Sequence, residues 1–223
     1  MQEKLPGPLL NVIDSGSSEL YRVLFSGLMR QIADRPIRSI AITSSVKGEG
    51  KTTTAIHLAR VAARDFGKKV LLLEGDLKNP QFGKRWSNPE GTGLYHLLTK
   101  EATLEAAIQM TDQEGFEVLP AGRFSKKQDD SGSALALGLK RILQEVSVRY
   151  DFVFVDCPPV HPLVDTRIIA EAVDGVIMVI QSEGPPRSVV ASAVESLPSG
   201  KVLGVVLNGM KTVWPRYSYG YTY

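Results

Sequence analysis

The chain holds a single cysteine, Cys157, among 223 residues. One thiol excludes an internal disulfide framework and fits a reducing compartment. Long apolar runs are missing as well. No stretch reaches the roughly 18 residues that a membrane helix needs. The opening residues, MQEKLPGPLL, lack the charged-then-apolar layout of a secretion signal. The expected chain is therefore cytoplasmic, with no direct membrane insertion. Charge of one sign is absent too: 26 Lys and Arg against 24 Asp and Glu leave a net charge of +2. With no basic stripe, nucleic-acid binding gains no support. Three histidines occur, and His96 and His161 have no metal-ligand spacing with Cys157.

What is present is a regular alternation. Short runs rich in Ile, Val and Leu fall at 37–43, 69–74, 116–119, 152–156, 175–180 and 202–207. Helical stretches fall near 51–66, 103–110, 135–148, 163–172 and 186–196. Several of the apolar runs are continuous rather than alternating, as in parallel strands buried on both faces. The pattern predicts an α/β fold, a doubly wound and mostly parallel sheet flanked by helices. Ahead of it, Leu20, Leu24 and Leu28 recur at i, i+4, i+8, predicting a helix from a Ser18 cap to about Ala33. Residues 1–17 read as a flexible lead-in, 18–212 as the domain and 213–223 as a tail. The polar segment 123–133 reads as a surface loop.

The strand at 37–43 runs into Ser45-Val46-Lys47-Gly48-Glu49-Gly50-Lys51-Thr52 and then a helix. This is a phosphate loop, with Ser45 in the place of its first glycine. Gly48 and Gly50 allow a tight turn whose N–H groups face an anion. The helix behind adds its positive end. Lys51 reaches the β- and γ-phosphates of ATP, and the Thr52 hydroxyl ligates Mg2+. Lys47, Gly48, Glu49, Gly50, Lys51, Thr52 and Thr53 are the expected nucleotide contacts, and the fold is that of a P-loop NTPase. Ligands in open α/β sheets bind at the carboxyl ends of the strands, and two of the strands end in acids. Asp156 closes the run Phe152–Asp156, placed to hold magnesium. Glu74 and Asp76 follow Val70–Leu73. One of them is expected to assist the metal and the other to accept a proton.

These motifs resemble the bacterial tyrosine kinases of capsule and exopolysaccharide synthesis. The similarity runs through Ser45–Thr52, Leu71–Lys78 (Asp-x-Asp-x-Arg in the family, the Walker A′ motif) and Phe152–Pro159 (Asp-x-Pro-Pro). It continues in Gly91–Leu94, Leu119–Gly122, Asp174–Val176 and Gly204–Asn208. It implies an autophosphorylating kinase with Lys51, Glu74, Asp76 and Asp156 as catalytic residues, Glu74 being the candidate base. Thr52, Asp76 and Asp156 would serve the metal, and Asn208 would lie near the adenine. Four of the seven tyrosines, Tyr217, Tyr219, Tyr221 and Tyr223, fall in the last seven residues and match the family's phosphoacceptor cluster. Their i, i+2 spacing also fits an edge strand with its aromatics on one face. The resemblance further implies a ring of neighbouring subunits joined through Glu19 and Arg22. A membrane-embedded activator of the polysaccharide chain-length type would hold the enzyme at the inner face of the membrane.

The chain departs from the family in three places: Glu74 stands for Asp, Lys78 for Arg, and Phe25 for the last Arg of Glu-x-x-Arg-x-x-Arg. Two other readings therefore stand beside the kinase. One is a catalytically weak, ATP-binding regulator of polysaccharide export. The other is a partition or division-site ATPase switch. The latter places a signature lysine where Val46 stands here.

Overall fold

The computed structural model describes residues 15–82, 91–123, 131–162 and 164–210. The elements in chain order are α1 (Ser15–Gln31), β1 (Ser39–Ser44), α2 (Lys51–Phe66), β2 (Val70–Glu74), α3 (Leu94–Leu98), α4 (Leu104–Ala107), β3 (Gln109–Met110), β4 (Phe116–Leu119), α5 (Ser131–Ser147), β5 (Phe152–Asp156), α6 (Asp165–Ala172), β6 (Gly175–Gln181), α7 (Arg187–Glu195) and β7 (Val202–Asn208).

The strands form one sheet in the order β3-β4-β2-β5-β1-β6-β7. Every pairing is parallel except that of β3 with β4. Strands β1, β2 and β5 are buried at every position, which explains the continuous apolar runs Val70–Leu73 and Phe152–Val155. Alternate side chains go to opposite faces. Leu71, Leu73, Val153 and Val155 pack with Leu139 of α5 and Ile169 of α6. Val70, Leu72 and Phe154 pack with Leu58 of α2 and Phe25 of α1. Because β5 and β1 sit side by side at the centre, the ends of β2, β5 and β1 meet on one rim. Register pairs Glu74 with Asp156, and Asp156 with Ile42.

The doubly wound sheet is the predicted one, and α2 has the predicted bounds. Three local expectations need correcting. Ser18 is no cap: α1 starts at Ser15, and the Ser18 hydroxyl accepts a bond from Arg64 Nη2 at 2.9 Å. The helix expected over 103–110 is a single turn, after which Ile108 turns extended (ψ 135) to feed β3. Helix α3 was not foreseen, and α5 begins inside the segment read as a surface loop. Residues 1–14, 124–130 and the tyrosine cluster at 217–223 lie outside the described residues.

Candidate active site

The rim is built loop by loop. Between β1 and α2 the chain turns at Gly48 (φ 95) and Gly50 (φ 92), both in the left-handed region that side chains avoid. Gly50 also needs its missing side chain, since a Cβ there would stand 2.0 Å from Asn208 Nδ2. Gly50 is the N-cap of α2 and offers no side-chain cap. The amides opening this 16-residue helix are left to an external acceptor, with the helix dipole behind them. Lys51 Nζ lies 3.4 Å from the Thr52 hydroxyl.

Glu49 behaves differently from the sequence expectation. Its side chain is turned inward and is 2% exposed. Oε2 accepts from Val46 N at 2.8 Å and Oε1 from Gln181 N at 3.1 Å. Its carbonyl oxygen accepts from Asn208 Nδ2 at 3.0 Å. The carboxylate braces the loop from behind, and Asn208 sits against that same inner side.

The end of β2 and the loop after it carry the other acids. Glu74 is 1% exposed. Oε1 accepts from Phe82 N at 2.7 Å and from Gln81 N, and Oε2 accepts from Ala121 N at 3.0 Å. Burial pushes its carboxyl up to about 7 against the pull of three amides, with the Asp156 charge adding to the rise. Both oxygens are thus committed to main chain, and a group so held is a strut between two loops. The sequence expectation that Glu74 takes the acceptor's proton meets a carboxylate whose two oxygens already accept from main-chain amides. Ala121 belongs to a turn that Gly93 packs against, where a Cβ would come within 2.3 Å of Pro120 O and Gly122 N. The two glycine-containing motifs noted in the sequence, 91–94 and 119–122, are therefore one contact.

Asp76, two residues on, accepts from Asn79 N at 3.0 Å through Oδ1. Lys78 pairs with the buried Asp165 at the start of α6 at 3.0 Å. Lysine here does the work of tethering the turn to the helix that follows Asp-x-Pro-Pro. The strongest sign of convergence comes from Cys157. Its buried thiol is raised well above its ordinary value by burial first, then by the charges of Asp156 and Asp76, while Lys51 lowers it. One lysine at the start of α2 and two carboxylates, at the end of β5 and in the loop after β2, thus act on one thiol.

The chemistry of the donor set fits magnesium: a Thr52 hydroxyl and two aspartates are hard oxygen ligands. Among the described residues, no group of three or more His, Cys, Asp or Glu side chains is set to hold a metal alone. A cation here needs phosphate oxygens to complete its shell, as P-loop sites do.

At the other side of α2, Arg22 bonds Glu19 and Asp65, each at 2.8 Å. Phe25 is fully buried, edge-on to Phe66 at 4.7 Å and Phe152 at 5.5 Å. The position where the family carries arginine is a core position in this chain. No helix among the described residues is long and apolar enough to cross a membrane.

Comparison with known proteins agrees with this geometry. The AAA domain family matches residues 37–189, and the chain is a P-loop protein of that class. Tyrosine-protein kinase YwqD of Bacillus subtilis is 33% identical over 207 residues, covering 92% of this chain and 86% of the relative. Among solved structures, the chimerical protein CapA2B2 superposes with a TM-score of 0.81 at 29% identity, over 91% of this chain and 88% of that one. The septum site-determining protein MinD of Pyrococcus horikoshii, complexed with Mg-ADP, gives 0.61 at 26% identity, over 76% and 69%. Within the P-loop class, the chain belongs to the bacterial tyrosine kinases of capsule and exopolysaccharide synthesis.

Proposed function

We propose that this protein transfers the γ-phosphoryl group of ATP to tyrosines of its own C-terminal cluster, Tyr217, Tyr219, Tyr221 and Tyr223. The observation that carries the reading is the rim on which the ends of β1, β2 and β5 meet, with Asp156 in register with Ile42 and Glu74 and its carbonyl oxygen accepting from Gly75 N at 2.8 Å, beside an uncapped helix terminus. The loop amides and Lys51 hold the phosphates in line. Asp76 takes over the base role expected of Glu74: its carboxylate accepts the tyrosine proton as the tyrosine oxygen bonds to the γ-phosphorus. The bond from that phosphorus to the ADP oxygen breaks in the same step. Thr52 and Asp156 would hold magnesium, which when bound spreads the charge of the phosphates, and this leaves Asp76 to the proton.

The acceptor comes from a neighbouring subunit in a homo-oligomer, with Glu19 and Arg22 at the contact. The family resemblance supports a cytoplasmic enzyme held at the inner face of the membrane by an embedded partner of the polysaccharide chain-length type, regulating polymer export.

The test is intact mass after phosphatase treatment and incubation with ATP and magnesium, beside Lys51→Ala. Stepwise phosphate additions that map to residues 217–223 and vanish in Lys51→Ala support the kinase. No addition, with ATP binding intact and the membrane activator supplied, overturns it and leaves the ATP-binding regulator.

A further inference from the structure

Glu49 lies in the phosphate loop, yet its side chain faces away from where the phosphates bind. It is held at three points, two through the carboxylate and one through the carbonyl oxygen. Two of these points are the last residues of neighbouring strands, Gln181 of β6 and Asn208 of β7. The same two strands are tied to each other just beyond, where Ser182 N donates to Asn208 O at 2.7 Å. Asn208 also fills the space that a Gly50 side chain would take. The loop, the end of β6 and the end of β7 therefore form one closed hydrogen-bonded unit. The chain that leaves this unit through Gly209 and Met210 leads to the tyrosine cluster.

We propose that Glu49 is a positioning residue that locks the phosphate loop to the ends of β6 and β7, so that the root of the acceptor segment tightens when nucleotide fills the loop. A carboxylate suits this task because it accepts from two amides at once and has no proton to oppose either. Glutamine keeps the length but puts an amide donor against one of the two N–H groups. Aspartate keeps the charge but is a methylene short, so it reaches one amide. Asn208 acts on the other side of the same unit.

The inference deepens the kinase reading and rests on it only for the meaning of the acceptor segment. The first arm of its test needs no phosphoryl transfer. Hydrogen exchange is followed at the Ser182, Gly209 and Met210 amides of the full chain, with and without ADP and magnesium. Exchange in the wild type is expected to slow about tenfold on nucleotide binding. In Glu49→Gln, at saturating ADP, that slowing is expected to be lost. In Asn208→Ala, which leaves both carboxylate bonds in place, it is expected to be halved or less. In steady-state assays Glu49→Gln raises the KM for ATP about tenfold and lowers kcat less, and Glu49→Asp recovers part of the loss. Equal slowing in wild type and Glu49→Gln at saturating ADP overturns the proposal, as does a KM unchanged by the substitution. If the coupling is present while the tail takes no phosphate, the kinase reading fails and this inference survives.

Discussion

The loops after β1 and β2 leave the same rim and each is braced by a buried glutamate, Glu49 within the first and Glu74 at the strand end before the second, but the two are braced in opposite senses. Glu49 closes its own loop on Val46 and reaches sideways to Gln181, so the loop stays one unit with β6 and β7. Glu74 reaches forward to Gln81 and Phe82 and across to Ala121, tying its turn to the other half of the sheet. At each loop a glutamate with both oxygens on main-chain amides is the support, while the neighbouring Asp76 accepts from one amide, Asn79 N, through Oδ1 alone. An acid inside a motif is therefore assigned by where its oxygens go. Proximity to the motif does not settle it.

The largest expected effect separates Asp76 from Glu74. Asp76→Asn lowers kcat about 100-fold or more, with melting temperature nearly unchanged. Glu74→Ala leaves three amides without their acceptor and costs about 3 kcal/mol. For a chain of this size that is a fall of roughly 6–12 °C in melting temperature. If calorimetry shows Glu74→Ala as stable as the wild type while transfer is lost, the division of labour between the two acids is wrong. A smaller effect is expected at the tether. Lys78 is two-fifths exposed, so Lys78→Ala should cost under about 1 kcal/mol and slow transfer a few-fold, with Lys78→Arg near wild type in the same assay.

The smallest effect lies away from the rim. The Asp65 carboxyl is held down at about 2 by its bonds to Arg64 and Arg22. A depressed carboxyl contributes stability above its unfolded value near 4, and that contribution is lost as pH falls toward 2. Asp65→Asn should therefore cost about 1 kcal/mol or less at pH 7, after discounting for solvent screening, and nothing at pH 2. A pH-independent difference in denaturant titrations would reject that assignment.

Much of this was legible in the sequence because burial on both faces of a central strand leaves an apolar run that little else explains. The run 152–156 and the helix 51–66 were placed to the residue. Short elements were not legible: Gln109–Met110 is a two-residue strand with no apolar pattern, paired only because β4 lies beside it. The direction of a side chain was not legible either. Spacing of two put Glu74 and Asp76 on one edge, but the strand ends at Glu74 and Leu77 N folds back onto Gly75 O at 3.1 Å, which ends the extended geometry on which that inference depends. Phe25 was read as a lost arginine, and only the rings of Phe66 and Phe152 reveal it as core.

Cys157 gives this rim a built-in reporter. Its thiol is fully buried and its ionisation is opposed by both burial and the neighbouring carboxylates, so alkylating reagents and oxidants reach it only when the centre of the sheet opens. With no second cysteine in the sequence, labelling followed by mass has a single channel. The rate of that labelling measures the opening of the catalytic rim in the untagged protein, with no introduced probe. The factor by which ATP slows it gives the share of binding energy spent on keeping the rim shut.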